Sequence, residues 1–286
     1  MFLKMKNGFL KDRKRYGSIS PTEFEQFNRL IQKLNINTIC NSALCPNRPE
    51  CFLKKKTVTF LILGKRCTRS CKFCGVSQGL PEKIDREEPS NITKAVSILK
   101  LKYVVITSVT RDDLPDGGAS QFVETIKKVR ELNPETEIEV LIPDFKGNVR
   151  AIDKIIKCNP KVINHNIECC NQYFGELRPD GNYKKSLKIL NYINNKGIIT
   201  KSGFMVGVGE SIEDIKNTLK DLEKNNVDIV TIGQYLPPTK DAFYMKKMYE
   251  DEEFDEIKEY ALRLNFKKVF VGHNVRSSYH AETQLN

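Results

Sequence analysis

The sequence lacks any apolar run that approaches the roughly 18 residues of a membrane-spanning helix; its longest, TVTFLILG, covers residues 57–64. The start of the chain, MFLKMKNGFLKDRKRYGS, lacks the continuous apolar segment and the small-residue cleavage site of a secretory signal. We interpret this start as a basic arm, with the remnant of an organelle transit peptide as the alternative. These absences predict a cytoplasmic protein with no part in the membrane.

Negative charge is scarce, since 36 acidic residues stand against 47 basic ones and the net charge is +11. Residues 1–20 alone contain six basic residues and one acidic residue. A basic surface can steer an acidic partner or a polyanion, but no RNA-binding motif or aromatic-interleaved basic run accompanies it. Nucleic-acid binding is therefore not expected, and the alternative to an acidic partner is a basic surface that is only solvated.

From residue 57 onward, apolar strand-like runs alternate with segments of helical periodicity. The runs cover residues 59–64, 103–109, 137–143, 162–167, 199–207 and 228–236. Repeated βα units with continuous apolar strands indicate a parallel sheet covered by helices. Because six units are too few for the closed eight-stranded barrel, the sequence predicts an α/β fold, a partial (β/α)6 barrel with N- and C-terminal extensions. Its functional site is expected at the C-terminal ends of the strands.

The 286 residues, 40% of them hydrophobic, suffice for one large soluble domain with extensions. We predict an N-terminal arm and cysteine-rich loop over residues 1–56, the partial barrel over 57–240 and a C-terminal extension over 241–286. The first helix is predicted to begin at Pro21 with Ser20 as its N-cap, since the sequence SPTE forms a capping box. A strand-like run at 268–272 lies within the C-terminal extension.

Three cysteines follow the first predicted strand in GKRCTRSCKFCGV: Cys67, Cys71 and Cys74. Four thiolates would close a structural zinc or iron–sulfur site, whereas three leave one coordination position open. Their close spacing suits a cubane iron–sulfur cluster. A zinc site would need a fourth ligand nearby, and no cysteine or histidine lies between residues 75 and 157. Zinc and three reduced thiols without metal are the alternatives.

A second triad precedes the barrel in CNSALCPNRPEC: Cys40, Cys45 and Cys51. Taken alone, it fits a zinc loop that lacks one ligand or a cysteine-rich arm. Clustered cysteines in a reducing compartment indicate metal binding rather than disulfides. Three further cysteines belong to neither triad and are interpreted as small buried hydrophobic residues: Cys158, Cys169 and Cys170.

The CxxxCxFC spacing of residues 67–74 resembles the motif of the radical S-adenosylmethionine family. This resemblance implies that the triad Cys67, Cys71 and Cys74 binds three irons of a 4Fe-4S cluster, while the fourth iron binds S-adenosylmethionine. It also implies that an electron from the cluster cleaves this cofactor, and that the resulting 5′-deoxyadenosyl radical abstracts hydrogen from an unactivated carbon. The protein itself would supply orientation and the exclusion of water.

The triad of residues 40–51, the CxxxCxFC motif and the terminal RSSY of residues 276–279 together resemble the lipoyl synthase family, over nearly all of residues 38–282. The resemblance implies a second 4Fe-4S cluster that is dismantled as the sulfur donor, held by Cys40, Cys45, Cys51 and Ser277. A serine oxygen suits iron less well than thiolate, so it would be a replaceable ligand. The implied sulfurtransferase reaction inserts two sulfur atoms at C6 and C8 of a protein-bound octanoyl-lysine.

The same resemblance implies the partners, which are octanoylated lipoyl domains of 2-oxoacid dehydrogenases, the glycine-cleavage H protein, and an electron donor such as ferredoxin or flavodoxin. It also implies contacts to S-adenosylmethionine from Phe73, Thr107, Ser108, Asn166, Glu168, Arg178, Gly207, Gly209 and Glu210. His165, by contrast, is interpreted as a buried histidine with its hydrogen bonds satisfied.

Three alternatives to this function stay open at the level of sequence. They are a sulfur-inserting enzyme similar to biotin synthase, a basic metal-binding module that grips nucleic acid, and an inactive protein that retains its clusters for structure. Cys169 and Cys170 depart from the family, which commonly has an acidic or hydroxyl residue at this point.

Overall fold

The computed structural model describes residues 21–42, 45, 47, 50–54 and 57–284. Its first helix, α1, is Pro21–Lys33 and begins at the predicted residue; the predicted N-cap, Ser20, lies outside the described residues. Helical spacing places Phe27 and Ile31 on one buried face, and the ring of Phe27 stacks on that of Phe52 at 4.2 Å. Phe52 lies in a π-helical turn, Glu50–Lys54, which holds the end of the second cysteine triad. The α1 helix therefore fixes this turn against the barrel.

Eight strands form one sheet in the order β1-β2-β5-β6-β7-β8-β9-β10. They are β1 (Asn37–Thr38), β2 (Thr57–Ile62), β5 (Tyr103–Ser108), β6 (Glu137–Leu141), β7 (Val162–Asn164), β8 (Ile199–Val206), β9 (Ile229–Gln234) and β10 (Lys268–Gly272). All neighbours from β2 to β10 are parallel, and β1 adds antiparallel to β2. The two end strands do not pair with each other among the described residues, so the barrel is open. The predicted partial barrel is confirmed.

With the exception of the first, a single turn at residues 39–42, the following helices cover the outer side of this sheet. They are α2 (Ile39–Ser42), α3 (Glu88–Leu99), α4 (Ala119–Leu132), α5 (Val149–Ile156), α6 (Asn171–Leu177), α7 (Tyr183–Asn194), α8 (Ile212–Lys224) and α9 (Asp251–Leu262). Two short strands, β3 (Arg66–Cys67) and β4 (Ser77–Gln78), pair beside the first cysteine loop. None of the described helices combines the length and the apolar character needed to cross a membrane.

Side chains alternate along the strands between the helix layer and the barrel interior. On β5, Val104 and Ile106 belong to the core beneath the helices. Tyr103 and Val105 instead face a separate interior cluster that includes Ala281, from a 3-10 turn over Ala281–Thr283. The C-terminal segment therefore enters the barrel, which the sequence did not predict.

Two details differ from the sequence-based prediction. The strand expected over residues 162–167 ends at Asn164, because the chain bends and Glu168 takes a positive φ of 73° while forming an isolated bridge to Phe204. The run at 268–272 continues the sheet as β10, in parallel register with β9. The C-terminal extension thus supplies a seventh parallel strand, while the boundary at residue 240 stays a prediction.

Candidate functional site

A cavity of about 520 Å³ lies at the C-terminal ends of the parallel strands. Six of the seven predicted cluster ligands line it: Cys40, Cys45, Cys67, Cys71, Cys74 and Ser277. Six of the predicted cofactor contacts line it as well: Phe73, Thr107, Ser108, Asn166, Glu168 and Arg178. The seventh ligand, Cys51, is buried behind this wall. The fold thus gathers residues from distant parts of the chain around one space.

The first triad is held by backbone donors as well as by its own loop. The amides of Arg69 and Thr110 donate to Cys67 Sγ at 3.4 and 3.3 Å, and the amide of Val76 donates to Cys74 Sγ at 3.4 Å. Such donors favour the thiolate form. Burial nevertheless raises the pKa of Cys71 to about 11 and that of Cys74 to about 12. Thiolates here therefore need a bound cation to stay deprotonated.

A buried arginine anchors the loop between the first two cysteines of this triad. Arg69 Nε donates to Asp112 Oδ2 at 2.7 Å, and Arg69 Nη2 donates to Asp144 Oδ1 at 2.6 Å. Burial would lower the pKa of Arg69, but its hydrogen bonds to the two carboxylates raise it. Burial would likewise raise the pKa of Asp144, yet Arg69 brings it down to about 2. Sequence analysis missed this role; its only signal was an arginine inside the motif.

The second triad is tied to the segment that carries the terminal serines. The Glu50 carboxylate accepts a hydrogen bond from Tyr279 Oη at 3.1 Å and contacts His280 Nε2 at 3.2 Å. Asn47 Nδ2 donates to the backbone oxygen of Asn274 at 2.9 Å. Burial raises the pKa of the Cys51 thiol, and the charges of Cys40 and Cys45 raise it further. The loop is thus fastened on both sides of Ser277.

Glycine at position 233 lets the C-terminal segment lie over the barrel. A Cβ built on Gly233 would overlap the backbone oxygen of Val275. Arg276 Nη1 donates to that same oxygen at 2.6 Å. Because the strand has no side chain here, Val275 rests on the end of β9, and Ser277 reaches the cavity wall.

Two cavity-lining polar atoms lack a hydrogen-bond partner among the described residues: Ser108 Oγ and Asn166 Oδ1. Buried polar groups are nearly always paired, so these atoms point to a polar ligand. Gly203 leaves room beside them, since a Cβ there would overlap Thr231 Oγ1. The amino and hydroxyl donors of S-adenosylmethionine fit these acceptors, and the buried guanidinium of Arg178 fits its carboxylate. The residues present therefore fit this cofactor.

The structure does not bring Gly207, Gly209 and Glu210 to the cavity wall. The Glu210 carboxylate accepts hydrogen bonds from the Gly207 amide at 2.6 Å, the Val208 amide at 3.0 Å and Tyr249 Oη at 2.9 Å. Both glycines have positive φ, 110° and 119°, which turns the chain from β8 towards α8. These hydrogen bonds show that the three residues also shape the turn, and their contact with S-adenosylmethionine stays a prediction.

Among the residues that the structure describes, no three His, Cys, Asp or Glu side chains are placed to share one metal ion.

His165 lies buried in the cavity wall with both ring nitrogens occupied. Nδ1 lies 2.9 Å from the backbone oxygen of Ile142, and Nε2 lies 2.9 Å from Ser186 Oγ. A carbonyl only accepts, so Nδ1 carries the proton and Nε2 accepts from the serine. This matches the interpretation of His165 as a satisfied buried histidine.

Acid should destabilise the protein through His165. Burial lowers the pKa of His165 to about 4, from 6.5 in the unfolded chain. The unfolded state then binds more protons below pH 6.5, so this contribution to stability is lost as pH falls towards 4. Between pH 7.5 and pH 5, wild type should lose on the order of 2 kcal/mol more unfolding free energy than His165→Gln. Denaturant titrations of both proteins measure this, and a difference that does not change with pH would contradict it.

Comparisons with known proteins identify the family of this chain. The sequence model of the Radical SAM superfamily matches residues 61–222. A lipoyl synthase of Caldicellulosiruptor saccharolyticus is 47% identical over 260 residues, which cover 90% of this chain and 91% of that protein. The mitochondrial lipoyl synthase of Nematostella vectensis is 46% identical over 264 residues, which cover 92% and 90%.

Solved structures share the fold. HydG, a maturase of FeFe-hydrogenase, superposes with a TM-score of 0.60 at 11% identity, covering 97% of this chain and 74% of that one. Methylornithine synthase (PylB) gives a TM-score of 0.54 at 13% identity, covering 92% and 85%. At these identities the likeness concerns architecture, whereas the sequence relatives define the family. This chain belongs to the lipoyl synthase family of the radical S-adenosylmethionine superfamily.

Proposed function

We propose that this protein is a sulfurtransferase that inserts two sulfur atoms at C6 and C8 of an octanoyl group carried on a lysine of a partner protein. The observation that carries the proposal is that one cavity is lined by members of both cysteine triads and by Ser277. A carbon atom in this space can be reached from either triad. A radical S-adenosylmethionine enzyme with a single cluster would have no use for the second set of ligands.

The cofactors are S-adenosylmethionine and 4Fe-4S clusters. We assign one cluster to Cys67, Cys71 and Cys74, and the second to Cys40, Cys45, Cys51 and Ser277. When bound, these groups supply a 5′-deoxyadenosyl radical for hydrogen abstraction and the sulfur that is inserted. The chain itself orients the reacting groups and keeps water out.

Three residues would orient S-adenosylmethionine beside the first triad. Arg178 would bind its carboxylate, and its guanidinium is held by the backbone oxygen of Asn166 at 3.0 Å and by the Phe174 ring at 5.3 Å. Asn166 Oδ1 and the buried Glu168 carboxylate would accept from its amino or hydroxyl groups. Burial raises the pKa of Glu168, while Arg178 opposes that rise, so Arg178 also favours the charged acceptor.

Two further residues take lesser parts in this arrangement. The Thr107 hydroxyl already donates to the backbone oxygen of Leu141 at 2.9 Å, which leaves it only as an acceptor. The Ser108 hydroxyl has no such partner among the described residues, so it can donate to the cofactor or accept from it.

The partners are octanoylated carrier proteins. We further propose that these are lipoyl domains of 2-oxoacid dehydrogenases or the glycine-cleavage H protein, that ferredoxin or flavodoxin supplies electrons, and that the reaction takes place in the cytoplasm. The net charge of +11 supports an acidic carrier, because complementary charge speeds encounter and excludes wrong partners.

Ser277 provides the decisive test. Anaerobically reconstituted wild type should hold about eight irons and, with reductant, S-adenosylmethionine and an octanoyl-lysine peptide, form a dithiolane-bearing product. Ser277→Cys makes every ligand of the second cluster a thiolate, which is harder to displace. Iron content and 5′-deoxyadenosine formation should be kept, while sulfur insertion should fall at least about ten-fold. Mass spectrometry of peptide and nucleoside measures both.

Ser278→Ala is the matched control, since Ser278 also lines the cavity, and it should leave sulfur insertion within about two-fold. Full sulfur insertion by Ser277→Cys would contradict the replaceable-ligand role. Zinc in purified wild type, or no 5′-deoxyadenosine from it, would overturn the proposed function itself.

A further inference from the structure

The barrel interior beneath the cavity contains a buried ion pair. Lys201 Nζ lies 2.9 Å from Glu139 Oε1, and the two side chains are 0% and 1% exposed. Tyr103 Oη donates to the other carboxylate oxygen of Glu139 at 2.8 Å. Asn164 lies beside them, with Nδ2 at 3.5 Å from Glu139 Oε1. None of these four side chains lines the cavity or serves the sites described above.

The strand ladders place this pair one layer below the cavity wall. Glu139 precedes the cavity-lining Leu141 by two residues on β6, and Lys201 precedes the cavity-lining Gly203 by two on β8. Alternate residues of a strand face the same side, so both side chains point into the barrel under the wall. Asn164 joins the two strands, since it is in register with Leu141 and with Lys201. We call Glu139, Asn164 and Lys201 the polar floor.

The space below the polar floor is filled. Ala281 is fully buried against Tyr103 and Val105. Its neighbour Glu282 accepts a hydrogen bond from Thr57 Oγ1 at 2.8 Å. A ligand that extends past the cavity wall would therefore meet the polar floor, and no channel continues beyond it among the described residues.

The walls above the polar floor are partly apolar, with Leu61, Val109 and Leu141 among the lining residues, and suit an alkyl chain. The reacting carbons are the last and third-last of that chain, so the site must fix where the chain stops. A ninth carbon would have to break the pair and leave a buried charge unpaired, which is strongly unfavourable. A buried ion pair is weak evidence for a contribution to stability, so this pair calls for a role of another kind.

We infer that the polar floor of Glu139, Asn164 and Lys201 limits the acyl chain to eight carbons and thereby sets which carbons face the cofactors. This inference rests on the proposed function and adds to it the residues that determine which acyl chain length the enzyme accepts. Two further observations support it. Burial lowers the pKa of Lys201, while Glu139 opposes that shift. The buried positive charge of Lys201 therefore depends on the carboxylate of Glu139. Asn164 Oδ1 has no hydrogen-bond partner among the described residues, which adds an acceptor that repels an alkyl carbon.

Wild-type binding gives the first test. The holoenzyme with S-adenosylmethionine but no reductant is titrated with peptides that carry hexanoyl-, octanoyl- or decanoyl-lysine. Affinity should rise roughly ten-fold from hexanoyl to octanoyl, because two more methylenes are buried. It should not rise again for decanoyl. A further rise of similar size for decanoyl would overturn the inference.

A double variant gives the second test. Lys201→Met with Glu139→Gln removes both charges while keeping the volume and an acceptor for Tyr103. The affinity for decanoyl relative to octanoyl should increase about ten-fold. The control is Lys161→Met with Glu137→Gln, an exposed pair 3.2 Å apart that begins on the same β6 strand, and it should keep the wild-type preference. Iron content and circular dichroism establish folding; a folded double variant with unchanged length preference overturns the inference.

The two proposals can fail separately, because binding is measured without turnover. Wild type that stops gaining affinity at eight carbons but makes no dithiolane product supports the polar floor and overturns the proposed function. If wild type makes the product but its affinity still rises from octanoyl to decanoyl, the proposed function is supported and the polar floor is overturned. The wild-type titration decides the inference even if the double variant does not fold.

Discussion

Arg69→Met is expected to abolish loading of the first cluster and, with it, formation of 5′-deoxyadenosine. Arg69 is 3% exposed and pairs with Asp112 and Asp144 from the loops after β5 and β6. Without it, two carboxylates are left facing each other in a buried site. Removing one partner of a buried pair costs about 3–5 kcal/mol, and here it also frees the loop between Cys67 and Cys71.

The pH dependence of the Arg69→Met variant follows from the same charges. In wild type, Arg69 holds the pKa of Asp144 at about 2. The ionised Asp144 therefore stabilises the fold at any pH above its unfolded-state pKa, and this stabilisation is lost as the pH falls towards 2. In the variant, burial, which raises the pKa of Asp144, is opposed only by the hydrogen bond from the Lys146 amide and by His165, so this pKa should lie above its wild-type value. The difference in unfolding free energy between wild type and Arg69→Met should therefore narrow as the pH falls towards 2, as measured by denaturant titration.

Lys146→Met is the matched control for Arg69. Lys146 lies 4.0 Å from the same Asp112 but is 63% exposed, and such pairs contribute little. It should keep both clusters, whereas Arg69→Lys should restore little, since one ammonium cannot bind two carboxylates in fork geometry. Iron analysis and electron paramagnetic resonance of the reduced proteins measure cluster loading. Full iron in Arg69→Met would contradict the anchoring role.

Gly233→Ala is expected to remove the second cluster while leaving the first one in place. The added Cβ would overlap the backbone oxygen of Val275, and a backbone atom cannot rotate away as a side chain does. The segment with Ser277 must then lift from β9, which separates the serine from the second triad. Iron should fall from about eight to about four per chain, and sulfur insertion should be lost while 5′-deoxyadenosine still forms.

Gly175→Ala is the control for this effect of a single methyl group. Gly175 lies in α6, and a Cβ there would meet nothing within 4 Å. Alanine in a helix should be neutral or stabilising by up to about 1 kcal/mol. Iron counts and product analysis of the two variants separate the predicted steric effect from a general effect of substitution. Gly233→Ala with normal sulfur insertion would show that the segment does not need this close approach.

The sequence predicted what depends on local spacing. Apolar runs and segments of helical periodicity can be read directly from the spacing of residues along the chain. Their alternation therefore indicated the parallel partial barrel. The CxxxCxFC motif directly after the first strand is equally local, because a short loop fixes how close Cys67, Cys71 and Cys74 lie. The resemblance carried by the second triad and RSSY named the family, which the comparisons confirm.

What the sequence could not predict depends on contacts between residues far apart in the chain. The roles of Arg69 and Gly233 exist only because Asp144 and Val275 arrive from other elements. The positive φ of Gly207 and Gly209 and the hydrogen bond from the Gly207 amide to Glu210 likewise became visible only in the folded turn.

Local pattern by itself thus determined the elements and the chemistry-bearing motifs of this protein. Only the tertiary structure decided that Glu50 would fasten the second triad to Tyr279, and that Lys201 and Glu139 would meet beneath the cavity. The physical reason is that hydrogen bonds, steric fit and ion pairs act over a few ångströms of space, whatever the separation along the chain.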